Sequence, residues 1–248
     1  ATDGGAFIFS LEAKDGGRVL ACHDKFGQAK TVPWYQRPWD GTVLEVDLQV
    51  ETETSILVQT GLKDPSGHEL FHAVQERVPT WSYAAFREVL EQVVAQALGS
   101  DAAKAAAIAG LTLLLDRRYD TGDKKRSHLL RLVMDALTTI FHDTPVLGET
   151  HRSRYRWVDW DRRGALAAPL QPGAVLILDA SGFPPEGEDC DARFLCRAYG
   201  LGWRDFICYG YKGQRFLGCG LGADSDGVRL DVYGSSGDYL ASGIDGMS

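Results

Sequence analysis

Residues 209–220 read YGYKGQRFLGCG and residues 233–243 read YGSSGDYLASG, a repeat with a period of about 23 residues. Tyr209, Gly210, Gly213, Leu217 and Gly220 return as Tyr233, Gly234, Gly237, Leu240 and Gly243, and Phe216 is answered by Tyr239. Ordinary glycine-rich hairpins would not align aromatic, leucine and glycine positions together. A short period of strand, glycine corner and strand predicts the stacked coils of a right-handed parallel β-helix (β-solenoid). Its corner glycines would be Gly210, Gly213, Gly218, Gly220, Gly234, Gly237, Gly243 and Gly246. Stacked repeats generally need about three units and a covered end. The last coil is therefore expected to be completed by a longer native chain, a symmetry mate or a partner protein.

Working outward, AVLILDA (174–180) reads as a buried strand, residues 189–199 as a helix and residues 206–209 as the strand leading into the repeats. That continuity predicts a domain boundary near Gly173. The first 80 residues read as β-rich, with AFIFSL and RVLAC around Asp15-Gly16-Gly17 as a hairpin and TVLEVDLQV and TSILVQTGL as further strands. From Ser82 the period becomes helical, with Phe86, Val89, Leu90, Val93, Val94 and Ala97 on one stripe. Ser100 is a natural N-cap for an alanine-rich helix, and a third helix is expected over 124–141. The expected organisation is an α+β region over 1–172 (β-rich 1–80, helical 81–143, connection 144–172) followed by the first coils of the β-helix over 173–248.

The stretches GFPPEGEDC, GWRDFICYGYKGQRFLGCGLG and VYGSSGDYLASGIDG together resemble the GXGXG β-helix domain found at the C-terminal end of the glutamate synthase large subunit. A relative of that domain forms one of the subunits of formylmethanofuran dehydrogenase. The resemblance covers about residues 175–246, with Gly213-Gln214-Arg215-Phe216-Leu217-Gly218 as its most specific piece, and it does not reach residues 1–170. It implies a structural and coupling element without catalytic residues of its own, part of a multi-component oxidoreductase in nitrogen metabolism. Gln214 and Arg215 would be family-motif residues, and FMN and iron–sulfur clusters would belong to partner subunits. A component of a C1-transfer enzyme like formylmethanofuran dehydrogenase is the alternative within the same class.

Composition narrows the remaining classes. The chain has 248 residues, 44% of them hydrophobic, enough for a real core, and a formal charge of −8 with a pI near 5.2. Phosphate backbones need a positive field, so nucleic acid and anionic membrane surfaces are disfavoured as main partners. No run approaches the roughly 18 apolar residues of a membrane span, and AFIFSL is too short for a signal-peptide core, so the cytoplasm is the expected compartment. The odd set Cys22, Cys190, Cys196, Cys208 and Cys219 fits reduced thiols better than a disulfide framework.

Several motifs suggest chemistry. His68-Glu69-Leu70-Phe71-His72 matches HExxH, which on a helix places two histidines on zinc with the glutamate as general base. Through His68 and His72 it offers a metal-dependent hydrolase as the alternative from another class. ILVQTGL and HELFHAVQERV read instead as the two arms of a hairpin, and in a strand positions i and i+4 lie about 13 Å apart, too far to share a metal. The cysteine spacings lack the compact loop that wraps an iron–sulfur cluster. A glutaminase with an N-terminal nucleophile does not fit a chain that starts Ala1-Thr2-Asp3, with Cys22 and His23 on opposite faces of an expected strand. Gly213-Gln214-Arg215 is followed by no helix and is not a phosphate loop. The segment 151–163 interleaves arginines with aromatics. It reads either as a half-buried strand or as a protein–protein interface built on Arg154, Arg156, Trp157 and Trp160.

Overall fold

The computed structural model describes residues 7–14, 17–24, 28–29, 58, 61–222, 225 and 227–242. They fall into two units, residues 1–48 and residues 49–248. In the first unit, β1 (Phe7–Lys14) and β2 (Gly17–Asp24) pair antiparallel from Phe7↔Asp24 to Lys14↔Gly17. Asp15-Gly16 lies between them, the dipeptide favoured in two-residue hairpins, so the expected hairpin is present. The expected strand TVLEVDLQV lies outside the described residues.

From His68 to His142 the second unit forms α1 (His68–Arg77), α2 (Tyr83–Ala97), α3 (Asp101–Asp116) and α4 (Arg126–His142). Ser82 and Ser100 cap α2 and α3, their hydroxyls accepting the amides of Ala85 and Ala103 at 3.1 Å each. Four strands follow: β3 (Tyr155–Val158), β4 (Val175–Asp179), β5 (Asp205–Lys212) and β6 (Arg229–Ser235), with α5 (Asp191–Gly200) between β4 and β5. They form one parallel sheet in sequence order, β3-β4-β5-β6.

Successive side chains alternate across this sheet. Val175 and Ile177 pack with Tyr155, Trp157, Ile207 and Tyr209 against the core of α1 to α4. Leu176 and Leu178 face the other way, joining Phe206, Cys208 and the α5 residues Phe194 and Leu195. With both faces covered, the strands can be apolar throughout. Gly210 interrupts the alternation in β5: the register shifts between Cys208 and Tyr211, and Gly210 has φ +77°. Tyr209 therefore reaches the helical core while Tyr211, two residues on, reaches the α5 side. An alanine methyl at Gly210 would meet Asp179 Oδ1 at 2.6 Å. Tyr233 of β6 hydrogen-bonds Thr112 of α3 at 2.6 Å and packs on Phe141.

Three expectations are corrected here. The described residues form an α+β unit with a four-stranded parallel sheet covered by helices, and not the predicted β-helix. Each repeat copy gives the sheet a single strand, and the helices supply the core that stacked coils would otherwise enclose. The boundary near Gly173 falls inside that sheet, because β3 pairs with β4 across it. Thirdly, Val58 and Gly61 are helical and residues 68–77 form α1, so ILVQTGL and HELFHAVQERV are not a hairpin. Asp64 drives that local choice: its carboxylate accepts the amides of Ser66 and Glu69 at 2.9 and 3.1 Å and starts the helix, and the Ser66 hydroxyl together with these amides holds its pKa below the usual carboxylate value. Leu70, Phe71 and Val74 then form the buried stripe. Among the described residues no helix is long and apolar enough to cross a membrane.

Candidate functional site

The repeat copies lie one upon the other at the C-terminal ends of β5 and β6. Phe216 and Tyr239 occupy equivalent positions with φ 66° and 65°, a left-handed conformation that costs a non-glycine residue about 1–2 kcal/mol. Their rings stack at 5.2 Å with 3° between planes. Backbone bonds join the copies, from Gly237 N to Gln214 O at 2.7 Å, Phe216 N to Asp238 O at 3.0 Å and Ala241 N to Leu217 O at 2.7 Å. Gly237 is required by this approach, since a methyl there would lie 2.8 Å from Gly213 O. The motif residues hold the first copy in place. Buried Gln214 donates to Ala180 O at 2.8 Å and accepts the Lys212 amide at 2.5 Å. Arg215 bridges Glu186 and Asp238, 3.3 and 3.2 Å away, with its guanidinium over the Phe216 ring.

The outer copy is open. Tyr239 is 58% exposed and Leu240 47% exposed, among the few large apolar side chains on the surface of the described residues. A repeated strained aromatic at the displayed end of a stack is the kind of outlier that marks a functional surface. Gly210, Gly213, Gly218, Gly220 and Gly234 all have positive φ, as corner residues do. Gly243 and Gly246 lie outside the described residues.

The arginine and tryptophan segment separates into inside and outside. Trp157 is 7% exposed, packs on His142 and donates from Nε1 to Tyr209 Oη at 2.8 Å. Arg156 is 5% exposed and ties the carbonyls of His151, Ser153 and Tyr155. Neither is a surface anchor. Arg154 stacks on Tyr155 and donates to its hydroxyl at 3.0 Å. Trp160 is half-buried, with the Arg163 guanidinium 3.4 Å from its ring centre.

On α1, His68 and His72 share one exposed face with ring centres 6.0 Å apart. The separation expected from a strand therefore does not hold. Among the described residues no group of three or more His, Cys, Asp or Glu is placed to hold a metal ion. Cys190, Cys196, Cys208 and Cys219 are free thiols. Burial pushes the Cys196 and Cys208 thiols up, which makes them poor nucleophiles.

Two polar features, one a pair distant in sequence and the other a single buried carboxyl, were not visible in the sequence. At the C-terminal ends of the strands, His142 Nε2 lies 3.8 Å from Asp179 Oδ2, beside Tyr209. Asp179 also accepts the Ser181 amide at 2.9 Å. On the opposite side of the sheet, Asp191 at the start of α5 is fully buried. Its oxygens lack a hydrogen bond of normal geometry, and burial raises its pKa from 3.8 to about 6.

That shift fixes a sign. A raised carboxyl pKa means the folded state holds the proton more tightly, so its stabilising contribution is complete below about pH 3.8 and is lost as pH rises through 6. A displacement from 3.8 to about 6 corresponds to roughly 3 kcal/mol. Asp191→Asn is expected to stabilise the protein by about 1–3 kcal/mol at pH 8 and to be neutral near pH 4. Paired urea titrations at the two pH values measure this, and an equal effect at both would refute the buried ionisation.

Comparison with family models, with curated proteins and with solved structures found no match for this chain.

Proposed function

We propose that this chain is a structural, non-catalytic assembly element of a multi-component oxidoreductase similar to glutamate synthase, with FMN and iron–sulfur chemistry carried by partner subunits in the cytoplasm. The observation that carries this reading is the stack of the two glycine-rich copies, which presents Tyr239 and Leu240 outward. Aromatic residues held rigidly at a surface supply contact area at little entropic cost. One further feature supports it: the motif residues Gln214 and Arg215 use their hydrogen bonds to fix the stack.

The test is spectroscopic. The isolated chain should be colourless and metal-free, whereas material captured with it from source cells should show flavin and cluster absorbance. Turnover of an amide or peptide substrate by the isolated chain, abolished by chelation and by His72→Ala, would instead establish the hydrolase alternative.

A further inference from the structure

Arg156 is a buried cation with no carboxylate partner among the described residues. Among the described residues its guanidinium meets three carbonyl oxygens, from His151, Ser153 and Tyr155, and no carboxylate. Nη1 serves two of them and Nη2 the third, so among the described residues Nε–H and one proton of Nη2 have no protein acceptor and are open to solvent. Two open donors on one guanidinium suit a carboxylate.

This side chain lines a cavity of about 290 Å³ at the N-terminal ends of β3, β4 and β5. The volume sits at the small end of the roughly 300–1,000 Å³ range of small-molecule sites. The walls are mainly apolar, formed by Leu147, Ala167, Ala168, Leu170 and Trp203, with Thr150, Ser153 and Gln171 as polar members. The indole holds the rim in place by donating from Nε1 to Ala167 O at 2.8 Å. Leu170, 80% exposed, stands at the edge with little to cover it. Glu149, exposed to solvent, is the acidic residue of the lining, and the Arg154 guanidinium lies on Tyr155, which is not part of it. Arg156 therefore brings a positive charge to a cavity whose wall is mainly apolar.

We propose that this cavity binds a small carboxylic acid with an apolar body, its carboxylate on Arg156 and its hydrocarbon against Leu147, Leu170 and Trp203. Inorganic anions would satisfy the arginine but forgo the walls, and neutral amides would do the reverse. The site is independent of the displayed end of the repeat stack, so its occupancy does not depend on the assembly reading.

Calorimetric titration of the purified chain with hexanoate, hexanamide and inorganic phosphate tests it. Hexanoate is expected to saturate one site, with hexanamide and phosphate each weaker by at least about tenfold. Ala168→Trp, at an exposed lining position, should fill the cavity and weaken hexanoate by a similar factor while leaving the melting temperature unchanged. Equal affinity for hexanoate and hexanamide, phosphate binding tighter than hexanoate, or unaltered hexanoate binding in a folded Ala168→Trp would each overturn the proposal.

Discussion

Replacing Trp157 by alanine is expected to cost the protein about 3–5 kcal/mol, the usual range for a large aromatic removed from a packed core. The indole is 7% exposed, packs among the helical-face residues and His142, and gives Tyr209 its hydrogen bond. In a unit of this size each kcal/mol lowers the melting temperature by about 2–4 °C, so the loss should be evident in a thermal scan. Trp157→Phe keeps much of the volume and should cost less, about 1–2 kcal/mol, for the lost bond and the smaller ring. A Trp157→Ala protein with unaltered stability would mean that the residue is exposed after all, as an interface anchor would be.

The second large effect is expected where α1 begins against α3. Gly67 has φ +73°, and a methyl added there would lie 2.1 Å from Gly110 N and 2.6 Å from Gly110 Cα. Those are backbone atoms of a helix and cannot turn aside. Gly67→Ala combines left-handed strain with overpacking, each worth about 1–3 kcal/mol, so a loss of roughly 2–5 kcal/mol is expected. Urea denaturation measures it. A change within about 0.5 kcal/mol, typical of indifferent surface positions, would show that α1 and α3 do not approach through these two glycines.

What could be read from the sequence follows from where the information lies. The stripes of α2 and α4, the Ser100 cap and the apolar run of β4 are local patterns, and they form as expected. The start of α1 was missed because Asp64-Pro65-Ser66-Gly67 looks like a hairpin turn. The distinguishing signal was the Leu70, Phe71, Val74 spacing that follows it. The repeat predicts the stacked coils of a β-helix, but a period says only that units recur. It does not say what covers them, and here helices from the preceding hundred residues cover the sheet. Arg156 and Trp157 resembled an exposed recognition strip because alternation alone cannot distinguish a strand with one wet face from one covered on both. The approach of His142 to Asp179 and the isolation of Asp191 depend on tertiary packing, and no local pattern encodes them.

On the proposed function, the outer copy of the stack docks a partner. The most direct measurement is capture from source cells with the wild-type chain and with the double variant Tyr239→Lys, Leu240→Lys, whose substitutions fall on exposed positions. Truncating or charging the anchor of an interface typically costs about 2 kcal/mol or more. Wild type should therefore retain a flavin-bearing oxidoreductase partner, while the folded double variant should lose it. Equal retention by both, or a wild-type chain that captures no such partner, would contradict the account.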